Sequence, residues 1–309
     1  MPELPEVETI KRQLQKSVVG KTVSDVSVYL DKMVKVGPGR ISSVKIGSRK
    51  SSKEFAKLLR GKKIIAVSRR AKYLIIELAD RNRAQTKEFL IGHLRMSGQM
   101  IVLQPKLLKT PLSLSIAKTA PKQTLPSKHT HVELVFTDGS KLFYNDTRQF
   151  GHLRFVDAPG FAQVFLEQDL GPEPLTLTLK DFQEIVKAHP QRRVKDFLLD
   201  QSVIAGIGNI YADETLFRSG IRPQHKVGKL SQAEIKALSM NIKKVLEQAI
   251  KAGGSSLEYF LKINGAAGKF SNQHQVYGRA GLPCLRCGHA LISAKVGSRT
   301  STYCRYCQK

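Results

Sequence analysis

The feature that most constrains this chain is the placement of its cysteines, all four of which lie within the last 26 residues. They form two Cys-x2-Cys pairs, Cys284 with Cys287 and Cys304 with Cys307, separated by 16 residues. This spacing is typical of a zinc ribbon, in which two knuckles on a β-hairpin hold one metal ion. Two disulfides are the alternative, but such pairs in a chain without a secretion signal favour metal. Four thiolates leave no open position for water, so the predicted Zn²⁺ is structural.

The charge of the chain indicates a polyanionic partner. Its 309 residues include 51 Lys and Arg against 25 Asp and Glu, which gives a net charge of +26. Nucleic acid is the usual partner of such a chain, whereas a solvated basic surface and an anionic membrane are weaker interpretations. Apolar runs fall short of a membrane span and the acidic N-terminus is unlike a signal or transit peptide, so we expect a soluble intracellular protein. Nothing in the sequence requires a protein partner or more than a monomer.

Hydrophobic periodicity predicts an α+β fold in three domains. Residues 1–157 combine an N-terminal helix with many short strands, which indicates a β-sandwich-like domain. Residues 158–280 change to helical spacing after the linker at Gly171-Pro172, and residues 281–309 form the zinc-ribbon β-hairpin. The predicted strands are 23–30, 64–68, 73–78, 89–94, 100–103, 132–136, 141–144 and 153–156, and the predicted helices of the second domain are 180–188, 192–199, 210–218 and 232–252.

Three stretches are predicted to be irregular. Residues 33–53 and 104–130 each contain several Lys or Arg residues and no Asp or Glu. Both are also rich in Ser, Gly or Pro, so we expect mobile basic loops. Such loops could add phosphate contacts, although solvated linkers are equally compatible with the composition. Residues 255–275 contain several glycines and few apolar anchors, which predicts a flexible segment.

The first eight residues, Met-Pro-Glu-Leu-Pro-Glu-Val-Glu, suggest covalent catalysis. Removal of Met1, which is usual before a small residue, would give Pro2 a free secondary amine that can attack a sugar C1′ and form an iminium. Glu3 and Glu6 lie on one side of a first helical turn, where one could act as general acid while the other orients or stabilises the cation. The structural alternative is an ordinary helix start with an acidic first turn.

Two motifs contain residues suited to distorting a duplex. Chemistry at a stacked nucleotide requires that the nucleotide be extruded and the resulting hole filled, and apolar wedges hold a duplex unstacked. Met96, in His-Leu-Arg-Met-Ser-Gly, and Phe150, in Asn-Asp-Thr-Arg-Gln-Phe-Gly, fit that role, while Arg148 can hydrogen-bond to the unpaired opposite base. The alternative is that Met96 and Phe150 are core residues.

A third motif is suited to binding an anion. Glycines lead into Asn209 in Ala-Gly-Ile-Gly-Asn-Ile-Tyr, which presents backbone N–H groups and a positive helix end to a phosphate. An ordinary asparagine helix cap is the alternative. On the predicted hairpin, Arg299 could bridge successive phosphates, although it could equally be a solvated arginine.

Taken in order, these motifs resemble the formamidopyrimidine-DNA glycosylase family over nearly the whole chain. The opening peptide, Arg-Arg-Ala-Lys-Tyr-Leu at 69–74, the two wedge motifs, the glycine-rich helical turn and the zinc hairpin all match. Leu4 favours the branch that excises oxidised purines, since the endonuclease VIII branch usually has Gly there. The visible departures from the family pattern are Ala71, Thr147, Gln149, His289 and Leu291.

The resemblance implies a bifunctional DNA glycosylase and abasic-site lyase acting on 8-oxoguanine and formamidopyrimidines. It implies Pro2 as nucleophile, Glu3 and Glu6 as assisting carboxylates, and a helix-two-turns-helix element in residues 158–280, with a lesion lid at 255–275. It also implies a bacterial, cytoplasmic repair enzyme on damaged duplex DNA. Excision of oxidised pyrimidines, or a catalytically silent zinc-ribbon DNA-binding protein, stay as alternatives. The implied phosphate contacts are Lys72, His93, Asn209, Tyr277 and Arg299, and Met96, Arg148 and Phe150 are the implied void-filling residues.

Overall fold

The computed structural model of the chain describes residues 2–38, 48–80, 87–111 and 122–309. Within them, seven α-helices and eleven strands follow one another in mixed order. The helices are α1 Leu4–Val18, α2 Arg49–Leu59, α3 Ala158–Glu167, α4 Leu179–Ala188, α5 Val194–Leu199, α6 Asn209–Ser219 and α7 Gln232–Lys251. The strands are β1 Val23–Val28, β2 Val34–Val36, β3 Lys63–Arg70, β4 Tyr73–Ala79, β5 Glu88–His93, β6 Gly98–Leu103, β7 Thr130–Phe136, β8 Lys141–Asp146, β9 His152–Asp157, β10 Ile292–Val296 and β11 Arg299–Tyr303.

The chain divides into two compact units, each of which is discontinuous in sequence. The first unit comprises residues 1–168 and 253–269, and the second comprises 169–252 and 270–309. The first unit therefore includes α3 and a segment that the sequence pattern groups with the helical domain. The three predicted domain ranges stay a prediction.

The first unit contains two sheets that share one apolar core. A four-stranded sheet has the order β1-β7-β8-β6 and a five-stranded sheet the order β2-β9-β5-β4-β3. All neighbouring strands are antiparallel except β2 and β9, which are parallel. The predicted sandwich-like domain and the α+β fold class are confirmed. Buried side chains from both sheets and from α1 contribute to the core, among them Val7, Ile10, Leu14, Leu74, Leu90, Leu134 and Leu153.

Helix α1 forms because its apolar residues recur at helical spacing. Val7, Ile10, Leu14 and Val18 are all fully buried on one side of the helix. The helix ends before Gly20, which adopts φ +87°. Burial of this face therefore fixes the start of the chain against the first unit's core.

The second unit is helical and carries the cysteine hairpin. Helix α6 contacts α5, α7 and β11, and β10 pairs with β11 so that Val296 lies opposite Arg299. Phe217 of α6 packs with Val276, Leu291 and the buried Cys284 and Cys304. The hairpin is thus attached to α6 through an apolar cluster.

The predicted loops were wrong in part. In the stretch 33–53 the structure has β2 and the start of α2, whose Phe55 is fully buried; residues 39–47 lie outside the described residues. Strand β2 was missed because a three-residue Val-Lys-Val run gives too little periodicity to detect. In 104–130, Leu108 and Leu125 pack on Phe143, while 112–121 lie outside the described residues.

The segment 255–275 is better anchored than its composition predicts. Phe260 and Ile263 are buried in the core of the first unit, and the Val102 N–H donates to the Ile263 carbonyl at 2.9 Å. Lys262 and Ala266 close a tight turn through a backbone hydrogen bond of 2.9 Å. Among helices in the described part of the chain, none combines the length and the apolar composition needed to span a bilayer.

Candidate functional site

The start of the chain is buried and its carboxylates are held in place. Pro2 is buried and the Glu3 side chain is only 2% exposed. Glu6 accepts two backbone hydrogen bonds, one at Oε2 from the Glu3 N–H at 2.8 Å and one at Oε1 from the Ser255 N–H at 2.7 Å. Glu6 therefore joins the predicted nucleophile's neighbour to a segment 249 residues away in sequence.

Gly254 makes this junction possible. It adopts φ +81°, and a Cβ placed there would lie 2.9 Å from Phe260 Cε1 and 3.0 Å from both Cγ and Oε1 of Glu6. A side chain would therefore meet backbone strain and a steric clash at once. The glycine allows the segment to approach the Glu6 carboxylate closely enough to donate the Ser255 hydrogen bond.

The lysine turn is fixed by an ion pair to α1. Ala71 adopts φ +50°, so the left-handed turn forms here without a glycine. Arg69 donates to the Ala71 carbonyl at 2.9 Å and to Glu8 Oε2 at 3.0 Å. Burial raises the pKa of Glu8, but hydrogen bonds from Arg12 and Arg69 outweigh it and hold the pKa below its ordinary value. Lys72 follows this turn and is buried.

His93 is prepared to donate a hydrogen bond as a neutral ring. Burial, and then the charges of Arg95, His152 and Lys72, hold the pKa of His93 well below its ordinary value. Nδ1 accepts from the Arg95 N–H at 3.0 Å, so the proton of the neutral ring lies on Nε2. A neutral Nε2–H is a suitable donor to an anionic oxygen.

The two wedge motifs are held together by a buried carboxylate. Asp146 is fully buried; its Oδ1 accepts from the Ser97 hydroxyl and from the Arg148 N–H at 3.2 Å. Its Oδ2 accepts from the Gly151 N–H at 2.8 Å. The Ser97 hydroxyl also accepts from the Arg148 N–H at 2.8 Å. Asp146 thus joins the loop that follows Met96 to the loop that carries Arg148 and Phe150.

The predicted void-filling residues differ in exposure. Phe150 is 56% exposed and the Arg148 guanidinium lies 5.0 Å from its ring centroid, so Phe150 is not a core residue. Met96 is half-buried. Arg95 and Gln149, which precede Met96 and Phe150 directly, adopt φ +50° and +57°. Non-glycine residues rarely adopt this conformation, and they do so preferentially at functional sites.

In the second unit, Asn209 is the first residue of α6 rather than its cap. Gly208 occupies the cap position, and the Asn209 amide donates to the Thr300 carbonyl of β11 at 3.1 Å. Arg299, the residue before Thr300, is exposed. The structure therefore brings Asn209 and the Arg299 strand together.

Two buried carboxylates of α6 hold the neighbouring segments, and the sequence motifs did not identify either. Asp213 pairs with the buried Lys195 at 2.5 Å and accepts from the Thr302 N–H at 3.2 Å. Glu214 Oε1 accepts from the backbone N–H groups of Val276 and Tyr277 at 2.9 and 3.0 Å. Tyr277 itself is half-buried. Acids directly after the anion-binding motif were the available signal, since a buried carboxylate needs donors.

The four cysteines converge as the spacing predicts. All four Sγ atoms lie within 4.8 Å of one another, with 3.9 Å between those of Cys284 and Cys307 and 3.5 Å between those of Cys287 and Cys304. Tetrahedral Zn–S bonds of about 2.3 Å require separations of roughly 3.8 Å. The cluster therefore fits one zinc ion.

Comparison with known proteins gives one consistent family. The family models for the formamidopyrimidine-DNA glycosylase N-terminal domain, its H2TH domain and the zinc finger found in FPG and IleRS match residues 1–153, 170–260 and 281–309. The formamidopyrimidine-DNA glycosylase of Latilactobacillus sakei is 38% identical, with 100% of this chain and 98% of that protein covered.

Solved structures agree with that result. Lactococcus lactis Fpg bound to DNA containing N7-benzyl-Fapy-dG is 33% identical, covers 100% of both chains and has a TM-score of 0.80. The same enzyme bound to DNA containing an oxidised pyrimidine gives the same identity, coverage and TM-score. The predicted structural zinc is confirmed by the zinc-finger match together with the cysteine cluster.

Proposed function

Because the chain belongs to the formamidopyrimidine-DNA glycosylase family, we propose that it excises oxidised purines from duplex DNA and then cleaves the abasic strand. It is a DNA glycosylase of base excision repair whose partner is damaged DNA. Its substrates are 8-oxoguanine and formamidopyrimidines. The relatives are bacterial, and the site of action is the bacterial cytoplasm, at the nucleoid.

The reaction begins at Pro2 once Met1 has been removed. The Pro2 amine attacks C1′ and the bond from C1′ to the base breaks, with Glu3 supplying a proton to the leaving base or the opening sugar. Loss of the amine proton and opening of the C1′–O4′ bond give a cationic iminium. Glu6 orients the N-terminus through the hydrogen bond that it accepts from Glu3.

The iminium then allows strand cleavage. It acidifies C2′, so loss of a C2′ proton expels the 3′-phosphate, and a second elimination expels the 5′-phosphate. The product is a one-nucleotide gap with phosphates at both ends. Cys284, Cys287, Cys304 and Cys307 would hold zinc in a structural role, because four cysteine ligands leave no open position for water.

The remaining site residues bind the distorted duplex. Lys72 and His93 in the first unit contact phosphates, as do Asn209, Tyr277 and Arg299 in the second. Met96 and Phe150 fill the space left by the extruded nucleotide, and Arg148 contacts the unpaired opposite base. The exposure of Phe150 supports this assignment, because an exposed aromatic beside a guanidinium is available to stack on bases.

The observation that carries the proposal is the buried Pro2-Glu3 start with both Glu6 oxygens bound to backbone N–H groups. The hydrogen bond between Glu6 and the Glu3 N–H belongs to the capping box of α1, which an ordinary helix start can also have. The burial of both carboxylates and the second hydrogen bond, from Ser255, go beyond that role. Here two carboxylates are buried beside the residue that becomes the chain terminus.

The test is borohydride trapping on duplexes that contain 8-oxoguanine or thymine glycol. We expect a covalent adduct with 8-oxoguanine DNA when intact mass shows that Met1 is absent. An N-terminal extension that a protease can remove should abolish trapping, and its removal down to Pro2 should restore it. A Pro2→Gly variant that cleaves as well as wild type would refute the nucleophile assignment.

The panel also separates the alternatives. Preferential trapping on thymine-glycol DNA would favour excision of oxidised pyrimidines, which the Lactococcus lactis complex with an oxidised pyrimidine keeps open. Lesion-independent binding without any adduct would indicate a catalytically silent DNA-binding protein.

A further inference from the structure

An exposed turn of the first unit, residues 257–259, begins beside the carboxylates to which the proposed function assigns the chemistry. The Ser255 N–H donates to Glu6 at 2.7 Å, and the Glu3 N–H donates to the same carboxylate at 2.8 Å. Leu257, two residues after Ser255, is 45% exposed. The turn therefore presents an accessible apolar side chain close to the start of the chain in space.

Hydrogen bonds fix both ends of this turn. The Ser256 hydroxyl donates to the Phe260 carbonyl at 2.7 Å and accepts from the Gly268 N–H at 2.7 Å. Ser256 is buried, and Phe260 belongs to the core of the first unit. Residues 257–259 thus project from two anchored positions, and the contacts of the turn itself decide where it lies.

Gln99 of β6 supplies such a contact. Its Nε2 atom donates to the Tyr259 carbonyl at 2.5 Å, although the two residues are 160 positions apart in the sequence. The Gln99 side chain is buried. A buried amide that donates to a backbone carbonyl holds that carbonyl in place, because separating the two groups would leave both without a partner. Gln99 therefore fixes the last residue of the turn against β6.

Gln99 also directly follows the loop that carries Met96. This loop is closed by the Gly98 N–H, which donates to the Leu94 carbonyl at 2.9 Å. A Cβ at Gly98 would lie only 2.6 Å from that carbonyl oxygen, so the loop is tightly closed where Gln99 begins. Gln99 therefore connects the loop of a predicted void-filling residue with the turn 257–259.

We propose that Gln99 is a positioning residue that holds the turn 257–259 over the base of the extruded nucleotide, and that Leu257 contacts this base. This role rests on the proposed function, because Met96 can enter the duplex only where a nucleotide has left it. The family resemblance implies a lesion lid within 255–275, and Gln99 lies outside every motif on which that resemblance rests. Excision of a base requires the turn to be in place, whereas strand cleavage at a site that has already lost its base does not.

The test compares substrates with and without a damaged base in the full-length, zinc-bound protein. Excision is measured in single turnover at saturating enzyme on an 8-oxoguanine duplex, and borohydride trapping on the same sequence with a preformed abasic site. Gln99→Met keeps the length of the side chain but removes the donor, so it should slow excision about fivefold while trapping at the abasic site keeps the wild-type rate. Gln104→Met, at an exposed position directly after β6, is the matched control and should change neither rate.

A purely structural role for Gln99 predicts a different pattern. General loosening of the first unit would slow excision and abasic-site trapping to the same extent, and that result would overturn the proposal, as would wild-type rates for both reactions.

Leu257→Ser is an independent variant that also decides the matter if Gln99→Met does not fold, because an exposed side chain can be changed with little effect on stability. Leu257→Ser should slow excision alone. Combined with Gln99→Met, it should slow excision by less than the product of the two single effects, since both act on one contact. Excision by Leu257→Ser at the wild-type rate would refute the base contact.

The two substrates also separate this role from the proposed function. If wild type reacts with neither duplex, the proposed function fails and the role of Gln99 fails with it. If wild type reacts with both and the ratio of excision to abasic-site trapping is the same in Gln99→Met, only the role of Gln99 fails.

Discussion

Adjacent glycines at the junction with Glu6 allow the cost of close packing to be separated from backbone strain. Gly253 and Gly254 have nearly the same φ, +78° and +81°. A Cβ at Gly253 would have its nearest neighbour at 3.5 Å, an ordinary contact with Lys262 Cδ. A Cβ at Gly254 would meet Phe260 at 2.9 Å and Glu6 at 3.0 Å. Gly253→Ala is therefore a control for Gly254→Ala that shares the positive φ but lacks the steric clash.

The magnitudes follow from these distances. The left-handed conformation costs a residue with a Cβ about 1–2 kcal/mol, and the reduced freedom of the unfolded chain returns about 0.4–1 kcal/mol. Gly253→Ala should thus destabilise the first unit by roughly 0.5–1 kcal/mol. Overpacking adds about 1–3 kcal/mol, so Gly254→Ala should cost roughly 2–4 kcal/mol.

The assays are urea unfolding and borohydride trapping on both variants. Gly254→Ala should also slow trapping, because its Cβ displaces the Glu6 carboxylate that accepts from the Glu3 and Ser255 N–H groups. Gly253→Ala should trap at the wild-type rate. If the two variants have equal free energies of unfolding, within about 0.5 kcal/mol, or equal trapping rates, then Gly254 is not required for the backbone at Ser255 to approach the Glu6 carboxylate.

Three further results are expected. Asp146→Asn should lower the free energy of unfolding by about 2–4 kcal/mol and slow trapping, because an amide has one acceptor oxygen and cannot accept from both the Ser97 and Arg148 groups and the Gly151 N–H. Thermal unfolding measures the loss, and Thr147→Ala, at an exposed position, is the control. Cys287→Ser should lower the zinc content and weaken DNA binding, since the hairpin carries Arg299; a variant with full DNA affinity and no zinc would contradict this. His152 has a pKa of about 3 when folded and about 6.5 when unfolded, so the unfolded chain takes up the proton first. The neutral His152 ring therefore contributes its full stabilisation above about pH 6.5, and the free energy of unfolding falls by up to about 1.4 kcal/mol per pH unit from there toward pH 3. The urea midpoint of His152→Gln should decrease less over this pH range than that of wild type.

The sequence predicted those parts of the fold whose periodicity is strong. Eight strands and the main helices appear close to their expected positions, because alternating or helical apolar spacing records which face is buried. Helix α2 was missed because its first six residues are all polar or charged and its apolar residues are confined to 55–59, which is too short a run to show a helical period. Its burial depends on Phe55 meeting distant strands. Residues 255–275 were misjudged for a similar reason, since Phe260 and Ile263 become anchors only once the core exists.

The candidate site was predictable at the residues suited to chemistry and not at those that hold them. The cysteine cluster was identifiable because metal binding depends on residue type and spacing, and it is confirmed. Pro2 and Glu3 were singled out in the same way, and their roles stay a prediction. Asp146, Glu214 and the Glu8–Arg69 pair were not assigned, since their role depends on which distant backbone groups they meet. Their contacts are set by tertiary packing, which a single sequence does not display.

The discontinuity of the first unit has a consequence for synthesis on the ribosome. Glu6 emerges among the first residues, but its partner Ser255 lies 249 residues further along the chain. At elongation rates of about 5–20 residues per second, that interval lasts roughly 12–50 s. A nascent chain therefore displays the proposed nucleophilic terminus well before the residue that holds Glu6, and we expect competence for repair only when translation is nearly complete.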